Sequence, residues 1–407
     1  MQRRQFIKAA GVALAGATIG PRFWLRPASA SGGKTLVVVF MRGAVDGLNL
    51  VVPYSEDRYY TMRRSIAIAK PGESGGALDL DGDFGLHPSA EPLVPLWQSK
   101  SLALIHACGS PDPTRSHFSA MASMESGTPG STGDGWINRY LQGATGQAVF
   151  RAVFVGGALP HAMLGDAPAL ALGSLKSLQM GKGERGAIRF AAIERMYSDR
   201  EDAVGEAGRE SMEAIEAGKH LNPDEYQPSN GAVYPVSSFG AGLKQIAQMI
   251  KAGVGLEVAE TDIDGWDTHA NQGGSTGQMA RLIGDWASSL RAFEKDLGGL
   301  MQDVVLVTMS EFGRTASENG SGGTDHGHGT VMLAMGGPVV GSRVYGRWPG
   351  LHADQLYDSR DLAVTTDFRL VLSEVLDKHL GCSSIGQVFP GFTYEPKNAL
   401  GIIQVAS

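Results

Sequence analysis

Carboxylates, imidazoles and hydroxyls recur in five short loops of the sequence. MRGAVDGLN carries Asp46, and SPDPTRSHFSAMASMESG carries Thr114, Arg115, Ser116 and His117. DIDGWDTHANQGG carries Asp264, Asp267 and His269, and SEFGRT carries Glu311 and Arg314. GGTDHGHGTVMLAMGGP, residues 322–338, places Asp325, His326 and His328 in a glycine-rich loop that runs into an apolar segment. Asp and His are ligands for zinc, manganese and similar divalent ions. A hydroxyl at a helix N-terminus sits where backbone N–H groups and the helix dipole stabilise an anion. Such a set suits metal-assisted displacement at a charged ester. Each motif also has a plainer reading. Asp46 before glycine can be a turn former, Ser116 an N-cap with Arg115 as its solvated neighbour, and Arg314 a partner of Glu311 or Glu318. The Asp325–His328 stretch can be an ordered loop held by neighbouring carbonyls.

Joint position separates these readings. KTLVVVF (34–40), SLALIHA (101–107), RAVFVGG (151–157), LEVAET (256–261), DVVLVTM (303–309) and TVMLAM (330–335) are apolar on both faces and bounded by glycine or polar residues, as buried parallel strands are. Helix candidates fall between them at 88–98, 116–125, 135–143, 189–218, 236–252, 276–296 and 362–380. This alternation predicts a three-layer α/β sandwich with a mostly parallel central sheet. Residues 158–235, poorer in strand signals, read as a helical insertion on a single domain spanning 31–407. Ligands of open parallel sheets bind beyond the carboxyl ends of the strands, and the polar loops fall there.

The first thirty residues read as an export signal. Arg3 and Arg4 precede a short Gly/Ala-rich apolar run, and Ala28-Ser29-Ala30 supplies a small-residue cleavage pattern. The reading implies the twin-arginine export machinery as a partner, a periplasmic or secreted location, and no stable membrane span after cleavage. The segment holds five cations and no acid, so its loss takes the formal charge from −7 to −12. A surface that acidic repels nucleic acid, and no basic run marks a phosphate-backbone groove. Two cysteines, Cys108 and Cys382, are too few for a thiolate cluster; whether they pair stays open.

The motifs FMRGAVDGLN, TRSHFSAMASMESG, GWDTHANQGG, VTMSEFGRT and GGTDHGHGTVMLAMGG, behind the paired arginines, resemble those of the DUF1501 family of exported bacterial proteins, related to the alkaline phosphatase and sulfatase superfamily. The resemblance spans essentially the whole mature chain and implies an alkaline-phosphatase-like fold. It implies a metal-binding Asp46 after the first strand and a nucleophile at the start of the helix that ends in Ser126-Gly127. Counting back about three helical turns reaches His117, with Ser116 one residue earlier; Ser116 is the nucleophile candidate and Thr114 the second. Asp267 and His269 resemble a pair on one metal, completed by His326 or His328 beside Asp325. The superfamily's second metal takes Asp-His where this chain has Glu311-Phe312. That leaves Asp46, Glu311 and Ser116, an oxygen-rich set suited to magnesium, manganese or calcium.

The implied function is exported, metal-dependent hydrolysis of a small phosphate or sulfate ester. One or two divalent ions are implied, with Arg115, Arg314 and His117 assisting. The alternative is a non-catalytic relative that binds an anionic ligand or a partner protein. No dinucleotide, haem or iron–sulfur spacing supports an oxidoreductase.

Overall fold

The computed structural model describes residues 33–404 apart from 131–132, 147, 180–182 and 199; the paired-arginine segment lies outside the described residues. All six apolar runs form strands of one nine-stranded sheet. In chain order its strands are β1 (Thr35–Met41), β2 (Leu102–Gly109), β3 (Ala152–Val155), β4 (Leu170–Leu172), β5 (Val258–Ile263), β6 (Val304–Met309), β7 (Thr330–Gly336), β8 (Arg343–Tyr345) and β9 (Thr366–Asp367). Their spatial order is β8-β2-β7-β6-β1-β5-β3-β4, with β9 paired to β2.

Strand β1 lies at the centre, parallel to both β5 and β6. Its side chains alternate between two cores. Val37, Val39 and Met41 face one, and Leu36, Val38 and Phe40 face the other, which is why the run is apolar throughout. Helices α5 (Ser238–Ala252) and α6 (Gln278–Leu297), with the turns of Pro88–Gln98, supply the first face. Helices α1 (His117–Ser126), α2 (Trp136–Gly143) and α7 (Phe368–Lys378) supply the second. Each fully buried Val, Leu or Phe in these layers contributes about 1.5–3 kcal/mol of transfer free energy. The architecture is the α/β sandwich with a mostly parallel sheet that the alternation implies. No helix among the described residues is long and apolar enough to cross a membrane.

Two details differ from the sequence reading. The run 330–335 was expected to be parallel, yet β7 pairs antiparallel with both β6 and β2. The connection between β6 and β7 contains no helix to carry the chain back across the sheet, so β7 starts at the edge where β6 ends. Both ends of that connection therefore open on one sheet edge. Residues 158–235 also contribute more than helices. Strand β4 extends the sheet beside β3 before α3 (Gly183–Ser198) and α4 (Ala203–Gly218) pack together, with Met212 and Ile215 reaching the core.

Glycine is required at two positions that shape the functional edge. Gly127 closes α1 at φ 67°, and a Cβ there would lie 2.6 Å from Phe389. Gly43, just past β1, has φ 113°, and a Cβ would stand 2.7 Å from the backbone nitrogen of Asp267. A side chain at Gly43 would push the Asp267 loop off the sheet edge.

Candidate metal centre

Two loops and one helix start bring four of the expected residues together. His117 is the first residue of α1, Asp267 and His269 follow β5, and His326 precedes β7. One ligand atom each from His117, Asp267 and His326 lies within 4.8 Å of the others. His326 Nε2 stands 3.0 Å from His117 Nε2, 2.9 Å from His269 Nε2 and 3.2 Å from Asp267 Oδ1. His269 Nε2 is 3.0 Å from the same Asp267 oxygen, and His117 Nε2 is 3.6 Å from Asp267 Oδ2.

The far nitrogen of each ring decides what these contacts mean. His117 Nδ1 lies 2.7 Å from Glu311 Oε1, an oxygen that also accepts the Gly43 N–H at 2.8 Å. His326 Nδ1 lies 2.8 Å from the Arg115 carbonyl. His269 Nδ1 lies 3.2 Å from Asp325 Oδ1, which also accepts from Asn319. A carbonyl and ionised carboxylates only accept, so each Nδ1 is assigned the proton. Each ring then turns its Nε2 toward Asp267. His326 Nε2 lies about 3 Å from the Nε2 of each of the other two rings, and lone pairs that close repel unless a proton or a cation stands between them. Orienting each imidazole through its outer nitrogen is how proteins present histidines to a metal.

Electrostatics agree with room for one positive charge. The Glu311 hydrogen bond foremost raises the His117 pKa, against the effect of burial. Burial foremost lowers that of His326, aided by the charges of His117 and Arg314. Burial alone would raise the Asp267 carboxyl, but the hydrogen bond and charge of Arg314 hold it below the usual range. Three imidazoles and a carboxylate fit zinc or a neighbouring transition ion, whereas magnesium and calcium favour all-oxygen shells.

The surrounding residues hold this arrangement rather than join it. Arg314 is buried and donates to Asp267 Oδ1 at 2.7 Å and Thr324 Oγ1 at 3.2 Å. Thr324 donates to Gln272 Oε1 at 2.8 Å, and Gln272 Nε2 donates to Asp46 Oδ2 at 2.6 Å. That Asp46 oxygen also accepts from Arg63 at 2.6 Å, with both side chains buried. A guanidinium thus neutralises the aspartate that the sequence reading placed on a second metal. Arg63 is held further by the Ala316 and Thr315 carbonyls and Asn49. Glu311, also expected as a ligand, instead carries His117. Phe312, where a second-site histidine was looked for, stacks on His117 at 5.0 Å and lies 5.1 Å from His326.

The remaining expected residues lie around this cluster. Ser116 is the exposed N-cap of α1, and its hydroxyl makes no capping bond. Thr114 Oγ1 accepts the Ser116 N–H at 3.3 Å. Arg115 points away, donating to Asp361 at 2.6 Å and Asp358 at 2.9 Å. His328 is buried against Tyr357, ring centroids 4.5 Å apart, and burial lowers its pKa. The sequence reading missed Arg63, Gln272 and Thr324. GWDTHANQ does place Gln272 three residues past His269, but a polar residue in a loop carries no mark of its burial.

The fold and cluster together define an α/β protein with a nitrogen-rich centre, able to hold a metal ion, at the carboxyl edge of its sheet. The chain belongs to the DUF1501 family: the model described as "Protein of unknown function (DUF1501)" matches residues 91–389. Comparison with curated proteins gives no match. Similar solved structures include PsFucS1 sulfatase from Pseudoalteromonas sp., at 12% identity and TM-score 0.32, covering 77% of this chain and 64% of that one. Alkaline phosphatase from the Antarctic bacterium TAB5 is similar at 11% identity and TM-score 0.30, covering 76% of this chain and 93% of that one. The lipoteichoic acid synthase LtaP from Listeria monocytogenes is similar at 10% identity and TM-score 0.29, covering 80% and 70% respectively. The chain spans about two thirds of the sulfatase's length.

Proposed function

We propose that this protein is an exported hydrolase of a phosphate or sulfate ester, with one divalent transition ion held by His117, His269, His326 and Asp267. The observation that carries the reading is the convergence of three imidazole Nε2 atoms on Asp267 while every Nδ1 is bound to an acceptor. An ion there supplies Lewis acidity toward an ester oxygen. Ser116 is the proposed nucleophile. Its hydroxyl is exposed and free of a capping bond, and the N-terminus of α1 favours a developing anionic oxygen. Attack by Ser116 Oγ on phosphorus or sulfur releases the alcohol and leaves an ester on the serine, which water then hydrolyses. Export rests on the paired arginines and cleavage pattern of the first thirty residues, and fractionation of cells carrying Arg3→Lys/Arg4→Lys tests it.

The direct experiment measures metal content and aryl-ester turnover on the same signal-cleaved protein, with His326→Ala and Ser116→Ala beside it. Metal lost in His326→Ala, with turnover lost in both variants, is the expected result. A protein that binds no transition ion would sink the reading. Metal with no turnover of any ester would favour the second reading, a pocket that binds an anionic ligand or partner. That alternative draws on the commitment of Arg115 to Asp358 and Asp361.

A further inference from the structure

We infer that the centre selects a singly charged oxyester, a phosphodiester or a sulfate monoester, over a doubly charged phosphate monoester. This rests on the metal-centre reading above and adds the charge class of the ligand. Asp267, Glu311 and Asp325 place three carboxylates on the imidazole cluster, against one guanidinium, Arg314. The two negative charges in excess are what a single divalent ion cancels, leaving the loaded centre close to neutral.

Among the described residues, the arginines around the centre are already paired with carboxylates. Arg314 is fully enclosed and spent on Asp267 and Thr324. Arg115 is clamped by Asp358 and Asp361, and Arg360 also pairs with Asp361, so that group is neutral as a set. Arg63 is buried on Asp46. Arg42, at the end of β1, is divided between Asp262 at 2.6 Å and Glu125 at 2.8 Å. A dianion must be desolvated as it enters, and each uncompensated charge raises that cost. A monoanion brings one such charge to the ion and the N–H groups of α1, and a dianion brings two. Phe118, next to His117 and 87% exposed, offers an apolar face to an organic group.

The test uses metal-loaded protein and a matched pair of non-hydrolysable probes. These are phenylphosphonate, studied above its second ionisation, and its monomethyl ester, which carries one charge. Calorimetry should show the monomethyl ester binding at least about fivefold tighter, a gap of the size that one unmatched charge in a partly screened site produces. Equal or tighter binding of the dianion overturns the inference, and so does failure of both probes to bind. Asp358→Asn removes an exposed carboxylate from Arg115 and should move the preference toward the dianion by about two- to fivefold; no movement speaks against the charge argument. Turnover of bis(4-nitrophenyl) phosphate, 4-nitrophenyl sulfate and 4-nitrophenyl phosphate on the same sample then tells the two monoanion sources apart. No turnover of any of them, with the monoanion still bound tighter, refutes the hydrolytic reading and leaves the charge preference standing.

Discussion

Replacing Glu311 by glutamine is the sharpest probe of the centre, because it keeps the shape and removes the charge behind one ligand. Of the three acceptors that fix the imidazoles, Glu311 alone is a carboxylate that is wholly buried. Its side chain has 0% exposure, against 53% for Asp325, and the third acceptor is the neutral carbonyl of Arg115. Outer partners of metal-bound histidines are worth about ten- to a hundredfold in affinity, or roughly 1.4–2.7 kcal/mol. The upper part of that range is expected for Glu311→Gln, since burial leaves its charge unscreened. With its oxygen kept on His117 and Gly43, the amide must turn its NH2 toward Ser310 Oγ, which donates to the other carboxylate oxygen at 3.0 Å in the parent. For Asp325→Asn, at a half-exposed and longer contact, less than about threefold is expected. Competition with a chromophoric chelator measures both affinities, and urea unfolding of the metal-free proteins reports any general damage. Equal losses in the two variants, or none in Glu311→Gln with its fold intact, would refute the claim that these acceptors aim the rings at an ion.

Three further outcomes test other parts of the structure. Saturating the centre at about a hundredfold excess over Kd should add about 2.7 kcal/mol of stability, near 3 °C in Tm for a chain of this size; scanning calorimetry should show that shift removed by chelator and missing from His326→Ala. Arg63→Met leaves Asp46 buried without its counter-charge, so chemical denaturation should record a loss of about 3–5 kcal/mol, and a loss below 1 kcal/mol would show that the pair is dispensable (roughly,). Burial pushes His106 and His379 down to about 4, below the unfolded value near 6.5. Each therefore contributes stability that is full above about pH 6.5 and lost as pH falls toward 4, by at most about 3 kcal/mol each. Asp262, raised to about 6 foremost by burial, acts oppositely, losing its contribution as pH rises through 6. His106→Gln separates the two, since it should flatten the acid limb of stability against pH relative to the parent; an unchanged limb would place the acid sensitivity elsewhere.

The sheet was legible because its strands are buried on both faces. KTLVVVF and DVVLVTM place apolar side chains on both faces, and a central strand between two helical layers uses such a run. Direction was not legible for TVMLAM, since a strand covered on both faces reads the same either way. What set its direction was the lack of a helix in the preceding connection, a weak signal in a stretch rich in glycine. Residues 158–235 hid β4 for a related reason. LAL at 170–172 is three residues long, too short to show a period.

The centre was legible as a set of loops but not as a set of ligands, and the reason lies in single-residue differences of direction. Successive residues at a helix start point about 100° apart. His117 therefore swings inward to Glu311 and His326, while Ser116 remains the exposed cap one position earlier. Counting turns back from Gly127 reaches His117, so the helix length carried the information even where residue type favoured serine. Asp46 shows the opposite limit. An aspartate after the first strand of such a sheet can face an ion or a guanidinium, and which it faces depends on a residue seventeen positions on. Arg63, in TMRRSIA, shows no periodicity that separates it from Arg64 beside it. Yet only Arg63 is buried on Asp46, with its remaining donors taken up by backbone carbonyls. That fixed cation takes up one oxygen of Asp46, whose other oxygen is buried with no hydrogen-bond partner among the described residues, and His117 shares one oxygen of Glu311 with the Gly43 N–H. What remains at the sheet edge is rich in nitrogen, so the chemistry of the centre follows from which carboxylates are already spoken for rather than from how many the loops contain.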